Sequence, residues 1–223
     1  MANILEAATG NLETFPVIIL LTEITNRMKG PHMKKIYFNS SLLLFILLTA
    51  SLSPAAGSGN SRNFKLKDYN GKEYSLTDFR DSKATVIMFV STQCPVSNAY
   101  NERMEKLYSD YKDKGVSFLG INSNAQESAE EIKEHAGENK LDFIILKDLN
   151  NVVADNFGAS FTPEIYVLNG SSEILYHGRI DDSRKESDVK TKDLRAALDE
   201  ILAGKEISVK ETKAFGCTIK RVK

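Results

Sequence analysis

Residues Ser91 to Tyr100 read STQCPVSNAY and place a cysteine between two contrasting patterns. The run before it, ATVIMFV (residues 84–90), is continuously apolar and rich in β-branched residues, which predicts a buried strand. After it, bulky residues recur along one helical face: Tyr100, Met104, Leu107, Tyr108 and Tyr111. Cys94 is therefore expected at the carboxyl end of a strand and in the first turn of a helix, where the missing N–H of Pro95 costs nothing.

This position has a chemical consequence for the Cys94 thiol. Free N–H groups and the positive end of a helix dipole stabilise a thiolate, which is the form of cysteine that attacks disulfides and peroxides. The position therefore predicts a reactive thiol. The alternative interpretation is a structural cysteine, either a small buried side chain or one half of a static disulfide.

The pattern around this junction alternates between strand and helix signals. Asn70-Gly71 predicts a β-hairpin within residues 64–76, and apolar runs predict buried strands at residues 116–122 and 143–148. Helices are predicted at residues 128–136 and 150–158, and a second hairpin is predicted around the turn at residues 169–172. A final helix ends at Gly204 and has one apolar stripe: Leu194, Ala197, Leu198, Ile201 and Leu202. The order predicts an α/β domain with a partly parallel sheet.

Length and charge limit the organisation and the partners of the chain. A chain of 223 residues suits one domain with appendages, which we place at residues 61–204, followed by a C-terminal tail at 205–223 that carries Cys217. The 29 Lys and Arg residues nearly balance the 30 Asp and Glu residues, and no basic block is interleaved with aromatics. Nucleic acid is therefore not an expected partner.

The segment Ser160-Phe161-Thr162-Pro163-Glu164 is a second informative stretch. A proline at the start of an internal strand is awkward unless it caps the strand, and a cis Thr162-Pro163 bond would accommodate it. The two stretches together, with YHGRIDDSR, DLRAALDEILAGK and FGCTIK, resemble the thioredoxin superfamily. Within that superfamily, residues 61–223 are similar to the exported redoxin or peroxiredoxin-like (AhpC/TSA-type) proteins.

The resemblance implies a thioredoxin-like fold, with a central mixed sheet, flanking helices, an N-terminal β-hairpin and an extended C-terminal tail. It also implies that Cys94 is the catalytic nucleophile and that the loop with Thr162 and the cis Pro163 lies against it. Cys94 would attack a protein disulfide or a peroxide, and an external thiol reductant such as a thioredoxin-like protein would restore it. No cofactor is implied.

Departures from better-known relatives leave the activity open between these two reactions. Ser97 replaces the second cysteine of thioredoxins, which excludes a local dithiol cycle. Peroxiredoxins have Thr or Ser three residues before the reactive cysteine and Pro seven before it; Ser91 fits this pattern and Ile87 does not. Cys217 is the only other cysteine, so three outcomes are open: a resolving thiol for Cys94, a static disulfide, or two separate free thiols.

Three other candidates are weaker. Arg179 could lower the Cys94 pKa or hold a peroxide oxygen, although an arginine close to Asp181 and Asp182 more often forms a surface ion pair. The two aspartates themselves are expected to be solvated. His135 and His177 could join the cysteines as copper ligands, but no two of these candidates share a loop, so we predict no metal site. The competing functional class is a non-enzymatic binding or copper-delivery module on the same fold.

The N-terminal region has the pattern of a targeting segment. Residues 33–56 combine a basic start, an apolar run at residues 42–52 and small residues suited to a signal peptidase, which predicts a signal peptide and export to the periplasm or the cell exterior. The alternative is an uncleaved membrane anchor. Because Met33 is a natural start, residues 1–32 are interpreted as an upstream extension. In an oxidising compartment a cysteine pair usually forms a disulfide.

Overall fold

The structure, a computed structural model, describes residues 62–222. Its strands are β1 (Lys65–Asp68), β2 (Glu73–Ser75), β3 (Ala84–Phe89), β4 (Val116–Asn122), β5 (Ile144–Lys147), β6 (Phe161–Thr162), β7 (Glu164–Leu168), β8 (Ile174–Gly178) and β9 (Cys217–Thr218). Its α-helices are α1 (Pro95–Asn98), α2 (Asn101–Tyr111), α3 (Ala129–Glu138), α4 (Val152–Phe157) and α5 (Asp193–Leu202). The predicted upstream extension and signal peptide lie outside the described residues. Within residues 62–222, no helix has the length and apolar character needed to cross a bilayer.

Seven strands form one mixed sheet in the order β2-β1-β5-β4-β3-β7-β8. The central strands β3, β4 and β5 are parallel, whereas β1, β7 and β8 pair with their neighbours in the antiparallel sense. β1 and β2 form the hairpin predicted at Asn70-Gly71, where Gly71 has a φ of 84°. The architecture is the partly parallel α/β sheet that the alternating pattern predicts.

β3 is buried on both faces and divides the core into two layers. Its even-numbered residues, including Val86 and Met88, pack with helices α2, α3 and α5. Its odd-numbered residues, Ile87 and Phe89, pack with helix α4 and with Ile219 of the tail. Because both faces of β3 are covered, the strand has no polar side to alternate with its apolar one, and its sequence is a continuous apolar run.

The helix predicted after Cys94 is interrupted. Helix α1 stops at Asn98, and the Tyr100 N–H donates to the Ser97 carbonyl at 2.9 Å in a tighter turn before α2 begins. Met104, Leu107 and Tyr111 of α2 are buried on the predicted face. Helix α1 is therefore a single turn that carries Cys94 at its start.

The C-terminal tail returns across the domain. It first runs beside β8, where the His177 N–H donates to the Lys210 carbonyl and the Thr212 N–H donates to the His177 carbonyl, both at 2.9 Å. It then enters β9, which pairs with β6 in a separate two-stranded sheet. This path brings Cys217 to the start of α1.

Candidate active site

Cys94 and Cys217 form a disulfide, with their Cα atoms 5.9 Å apart and a sequence separation of 123 residues. Of the three outcomes that the sequence leaves open, the structure therefore removes the one in which the two thiols lie apart. The bond joins the loop after β3 to the strand at the end of the tail. Whether the bond is catalytic or static depends on how the two sulfurs are surrounded.

Cys94 is the N-cap residue of α1, and Pro95 occupies the first helical position as predicted. Its Sγ accepts a hydrogen bond from the Ser97 N–H at 3.2 Å, and its own N–H donates to the Ser91 Oγ at 3.0 Å. The residue is only 4% exposed. An N–H aimed at the sulfur favours the thiolate whenever the disulfide is open.

Cys217 lies on β9 directly opposite Thr162 of β6. A Cβ atom on Gly216 would overlap the Thr162 carbonyl, so this approach of the two backbones requires glycine. Cys217 is partly exposed, in contrast to Cys94. Of the two cysteines in the pair, the one on the tail is therefore the more exposed residue.

The Thr162-Pro163 peptide bond is cis, as the sequence predicts. The Thr162 carbonyl oxygen lies 3.3 Å from the Cys94 Sγ. In the disulfide this is a contact without a proton, whereas a Cys94 thiol could donate its S–H to the same oxygen. Thr162 therefore touches the Cys94 sulfur through its carbonyl and the backbone of the tail through strand pairing.

Glu127 is a buried carboxylate beneath the Cys94 loop that the sequence analysis did not single out. Its two oxygens accept hydrogen bonds from the Ser91 hydroxyl at 2.5 Å and the Thr92 N–H at 2.7 Å. Burial opposes ionisation, but these hydrogen bonds outweigh it and hold the pKa of the Glu127 carboxyl below its ordinary value. Because the Ser91 hydroxyl has a single proton and donates it to Glu127, that proton is directed away from Cys94.

A second buried carboxylate, Glu164, supports the tail side of the site. It accepts from the N–H groups of Ser160 and Phe161 at 2.7 and 2.9 Å, and it pairs with the His177 Nε2 at 2.7 Å. Burial opposes its ionisation, yet the hydrogen bonds from His177 and Ser160 lower the pKa of the Glu164 carboxyl. Glu164 thereby fixes the entry into β6, the strand that pairs with Cys217.

The remaining sequence candidates lie in other networks. The Arg179 Nε donates to Asp193 at 2.8 Å, so the guanidinium is held at the start of α5. The expectation that Asp181 is solvated is wrong: it is 4% exposed and accepts from Arg103 at 2.6 Å and from the Tyr100 hydroxyl at 3.0 Å. The reason is that Arg103, stacked on the Tyr100 ring, needs a buried counter-charge.

The two histidines considered as metal ligands have other partners. The His135 Nε2 lies 3.0 Å from the Asn98 Oδ1, and burial lowers the pKa of the imidazole. His177 stacks on Tyr166, with 4.2 Å between the ring centroids, while it pairs with Glu164. Within residues 62–222, no group of three or more His, Cys, Asp or Glu side chains has the arrangement of a metal site.

The chain is similar to two curated proteins in sequence and to one solved protein in structure. The chain is 29% identical over 126 residues to the thiol-disulfide oxidoreductase ResA of Halalkalibacterium halodurans, a match that covers 56% of this chain and 70% of the relative. It is 28% identical over 125 residues to the chloroplastic peroxiredoxin Q of Gentiana triflora, covering 52% of this chain and 56% of that protein. The crystal structure of a hypothetical protein from Sinorhizobium meliloti 1021 superimposes with a TM-score of 0.67 at 32% identity, over 72% of this chain and 91% of that one.

The fold is therefore thioredoxin-like, in agreement with the sequence expectation. The curated relatives divide between thiol-disulfide oxidoreductases and peroxiredoxins. The model of the AhpC/TSA family matches residues 60–182, which is more than half of the chain and includes Cys94 and Pro163 but not Cys217. The chain belongs to the AhpC/TSA family of redoxins.

Proposed function

We propose that this protein is a thiol-disulfide oxidoreductase whose redox pair is Cys94 and Cys217. The observation that carries the proposal is the disulfide between them, which joins the N-cap of α1 to the tail strand β9. The ResA relative is named for the same class of reaction. A protein disulfide would be the oxidised partner, and an external thiol such as a thioredoxin-like protein would be the reduced one.

The different burial of the two cysteine residues suggests the direction of the exchange. An external thiolate attacks the Sγ of the partly exposed Cys217, the S–S bond breaks, and Cys94 leaves as a thiolate that accepts the Ser97 N–H. The product is a mixed disulfide on Cys217. A second external thiolate then attacks the external sulfur, so that an external disulfide forms and Cys217 leaves as a thiolate. Alternatively, the Cys94 thiolate attacks the Cys217 Sγ, the external thiolate leaves, and the pair closes again.

This proposal gives Cys94 and Cys217 different roles in exchange from those that the resemblance alone suggests. Cys94 remains a nucleophile, but toward the mixed disulfide inside the protein rather than toward the external partner. The 4% exposure of Cys94 supports this assignment, because a protein thiol needs to reach the sulfur that it attacks. Cys217 then becomes the sulfur that meets the partner.

Peroxide reduction is the second candidate, and the peroxiredoxin Q relative favours it. In that reaction the Cys94 thiolate attacks the peroxide and becomes a sulfenic acid while water or an alcohol leaves; Cys217 then forms the disulfide and releases water. Ser91 is the nearest counterpart of the hydroxyl residue of peroxiredoxins, but it donates its proton to Glu127. Exchange is therefore the better-supported reaction.

The test compares wild type with Cys94→Ser and Cys217→Ser. The reduced wild type is expected to reduce a protein disulfide and to be restored by a dithiol, and both variants should lose at least a hundredfold in rate. A parallel assay with hydrogen peroxide separates the two candidates, since a peroxidase would consume it catalytically. Unchanged exchange and peroxide rates in Cys94→Ser would remove the proposal altogether.

Export forms a separate part of the proposal, supported by the signal-peptide pattern of residues 33–56. Expression in a host with a Sec system is expected to give an extracytoplasmic protein that starts between residues 55 and 60. Intact-mass measurement of that protein identifies the first residue. Recovery of the full-length chain from the membrane fraction would favour the anchor instead.

A further inference from the structure

Five hydrogen-bond donors converge on the Glu127 carboxylate, which is 3% exposed. They are the Ser91 hydroxyl at 2.5 Å, the N–H groups of Thr92 at 2.7 Å and Gln93 at 3.4 Å, and the amide nitrogens of Asn122 at 2.5 Å and Asn124 at 2.8 Å. An ionised carboxylate accepts at both oxygens, whereas an amide or a protonated acid presents a donor at one of them. The site is therefore built for a carboxylate anion.

Lys147 completes the site from the opposite side. Its ammonium group, on a residue only 9% exposed, donates to the Asn122 Oδ1 at 3.0 Å and to the Asn124 carbonyl at 2.6 Å. Because the Asn122 oxygen faces Lys147, its NH₂ group faces Glu127. The buried Glu127 carboxylate is thus connected through Asn122 to the buried Lys147 ammonium. The connection offsets the cost of removing both charges from water.

The same carboxylate reaches both segments that carry the redox sulfurs. On one side, Ser91 donates to Glu127 and accepts the Cys94 N–H at 3.0 Å. On the other side, Asn124 donates to Glu127, and its Oδ1 accepts the N–H of Lys220 at 2.7 Å. Lys220 lies three residues beyond Cys217 and is also held by the Ala125 N–H at 2.8 Å. One side chain therefore lies between the loop of Cys94 and the tail of Cys217.

We propose that Glu127 is a positioning residue for the Cys94–Cys217 pair, which holds both backbone segments where the disulfide closes. Glu127 acts through Ser91 on one sulfur and through Asn124 on the other. The inference rests on the proposed function only in that the pair opens and closes. Loss of this network is expected to cost the oxidised protein more than the open dithiol, because the dithiol can relax by letting the two segments separate, whereas the disulfide keeps them joined.

Glu127→Gln is the informative substitution, since it keeps the size of the side chain and replaces one oxygen with a donor. Two or three of the five donors would then face an NH₂ group. The equilibrium constant for closing the disulfide against a dithiothreitol redox buffer is expected to fall at least tenfold, which corresponds to about 30 mV. Glu130→Gln, the same change at an exposed position of α3, is the matched control and should leave the constant within twofold.

A purely structural role would not change this constant. To separate the two roles, the unfolding midpoint in denaturant is measured for Glu127→Gln in oxidised protein and in a Cys94→Ser/Cys217→Ser background. A positioning role lowers the midpoint more in the oxidised protein, whereas a general structural role lowers both midpoints equally and leaves the constant within twofold of wild type. The second result would overturn the proposal.

Asn124→Ala provides an independent arm if Glu127→Gln does not fold. It removes the link from Glu127 to Lys220 while leaving the contacts with Ser91 and Thr92, and it is expected to lower the same constant at least threefold. An unchanged constant in Asn124→Ala would also overturn the proposal. Failure of the proposed function is observed separately, as a wild-type disulfide that dithiothreitol opens but that does not exchange with glutathione or a thioredoxin-like protein.

Discussion

The two cysteines of the proposed redox pair are held in different ways. Cys94 is buried in a loop fixed largely by side chains, with Ser91 accepting its N–H and Glu127 beneath the loop. Cys217 is partly exposed on a two-residue strand that is fixed by main-chain pairing with β6. Under the proposed exchange, this difference assigns the two cysteines separate roles: Cys94 would leave as a thiolate, and Cys217 would meet the partner.

The disulfide is not the only contact that holds the tail in place within residues 62–222. Beyond Cys217, Ile219 is buried against the core layer of α4, and its N–H donates to the Ser160 carbonyl at 3.0 Å. Lys220 pairs with Asn124 and Ala125. The two thiols are therefore expected to stay adjacent after reduction, so that the pair can close again without a large rearrangement.

Removing the disulfide is expected to have the largest effect on stability, because it takes away the covalent link between the Cys94 loop and the tail. The bond spans 123 residues, and its loss is expected to lower the free energy of unfolding by about 2 to 5 kcal/mol, because the unfolded chain gains conformational entropy. Denaturant titrations of oxidised and reduced wild type measure the difference. The free energy of unfolding of Cys217→Ser should equal that of reduced wild type, and adding a dithiol should not change it. Equal stability of oxidised wild type, reduced wild type and Cys217→Ser would contradict the structure.

The second test weakens only the pairing of β9 with β6, which holds Cys217. Gly216→Ala places a Cβ atom against the Thr162 carbonyl, and the overlap is expected to cost about 1 to 3 kcal/mol of stability by disturbing the pairing of β9 with β6. Gly137→Ala is the control, because that position in α3 is open; alanine there should be neutral or stabilise by up to about 1 kcal/mol. Equal effects of the two substitutions would show that the close approach at Gly216 does not hold the tail.

Acid should lower the stability of both the Cys94 loop and the tail. The loop is supported by the buried carboxylate of Glu127, and the tail by that of Glu164. The pKa values of Glu127 and Glu164 lie below 4.5 in the folded protein, so their stabilisation is present above about pH 4.5 and is lost as the pH falls through the folded values. Unfolding free energies measured from pH 7 to pH 3 are expected to decline at the acid end. Glu164→Gln should reduce that slope by up to about 1.4 kcal/mol per pH unit, and an unaltered slope would exclude Glu164 from the effect.

Arg179 lies outside the network around the two cysteines, so its substitution is expected to have the smallest effect on stability and on the exchange rate. Arg179→Gln removes the contact with Asp193, a partly exposed pair worth at most about 1 kcal/mol, and should leave the exchange rate within twofold of wild type. Stopped-flow measurement of exchange checks the rate. A loss of tenfold or more would support the catalytic role that the sequence left open as the weaker alternative for Arg179.

The parts of the fold that the sequence predicts are those fixed by local patterns. The apolar run of β3, the Asn70-Gly71 turn and the position of Pro95 after Cys94 each depend on a few neighbouring residues, and each is present in the structure. The interruption between α1 and α2 has no Gly or Pro signal at Ala99 or Tyr100, so the helical periodicity continues across it. That break was not predictable from the pattern.

The parts of the site that were missed depend on contacts between distant segments. Glu127 is 33 residues after Cys94 in a loop of ordinary polar composition, and nothing local distinguishes its carboxylate from the exposed Glu130 or Glu131. Asp181 likewise reads as a turn residue until Arg103 is placed beside it. A charged side chain can be buried only where hydrogen-bond donors surround it. Here those donors come from different segments of the chain, so the local sequence does not reveal the burial.

The assignment of Cys217 as the cysteine that meets the partner is tested most directly by locating the first mixed disulfide. Oxidised wild type is treated briefly with reduced glutathione, quenched with acid, alkylated and mapped by mass spectrometry. Glutathione is expected on Cys217, while Cys94 is recovered as an alkylated thiol. Glutathione attached mainly to Cys94, or a disulfide that glutathione does not open in the folded protein, would contradict this assignment.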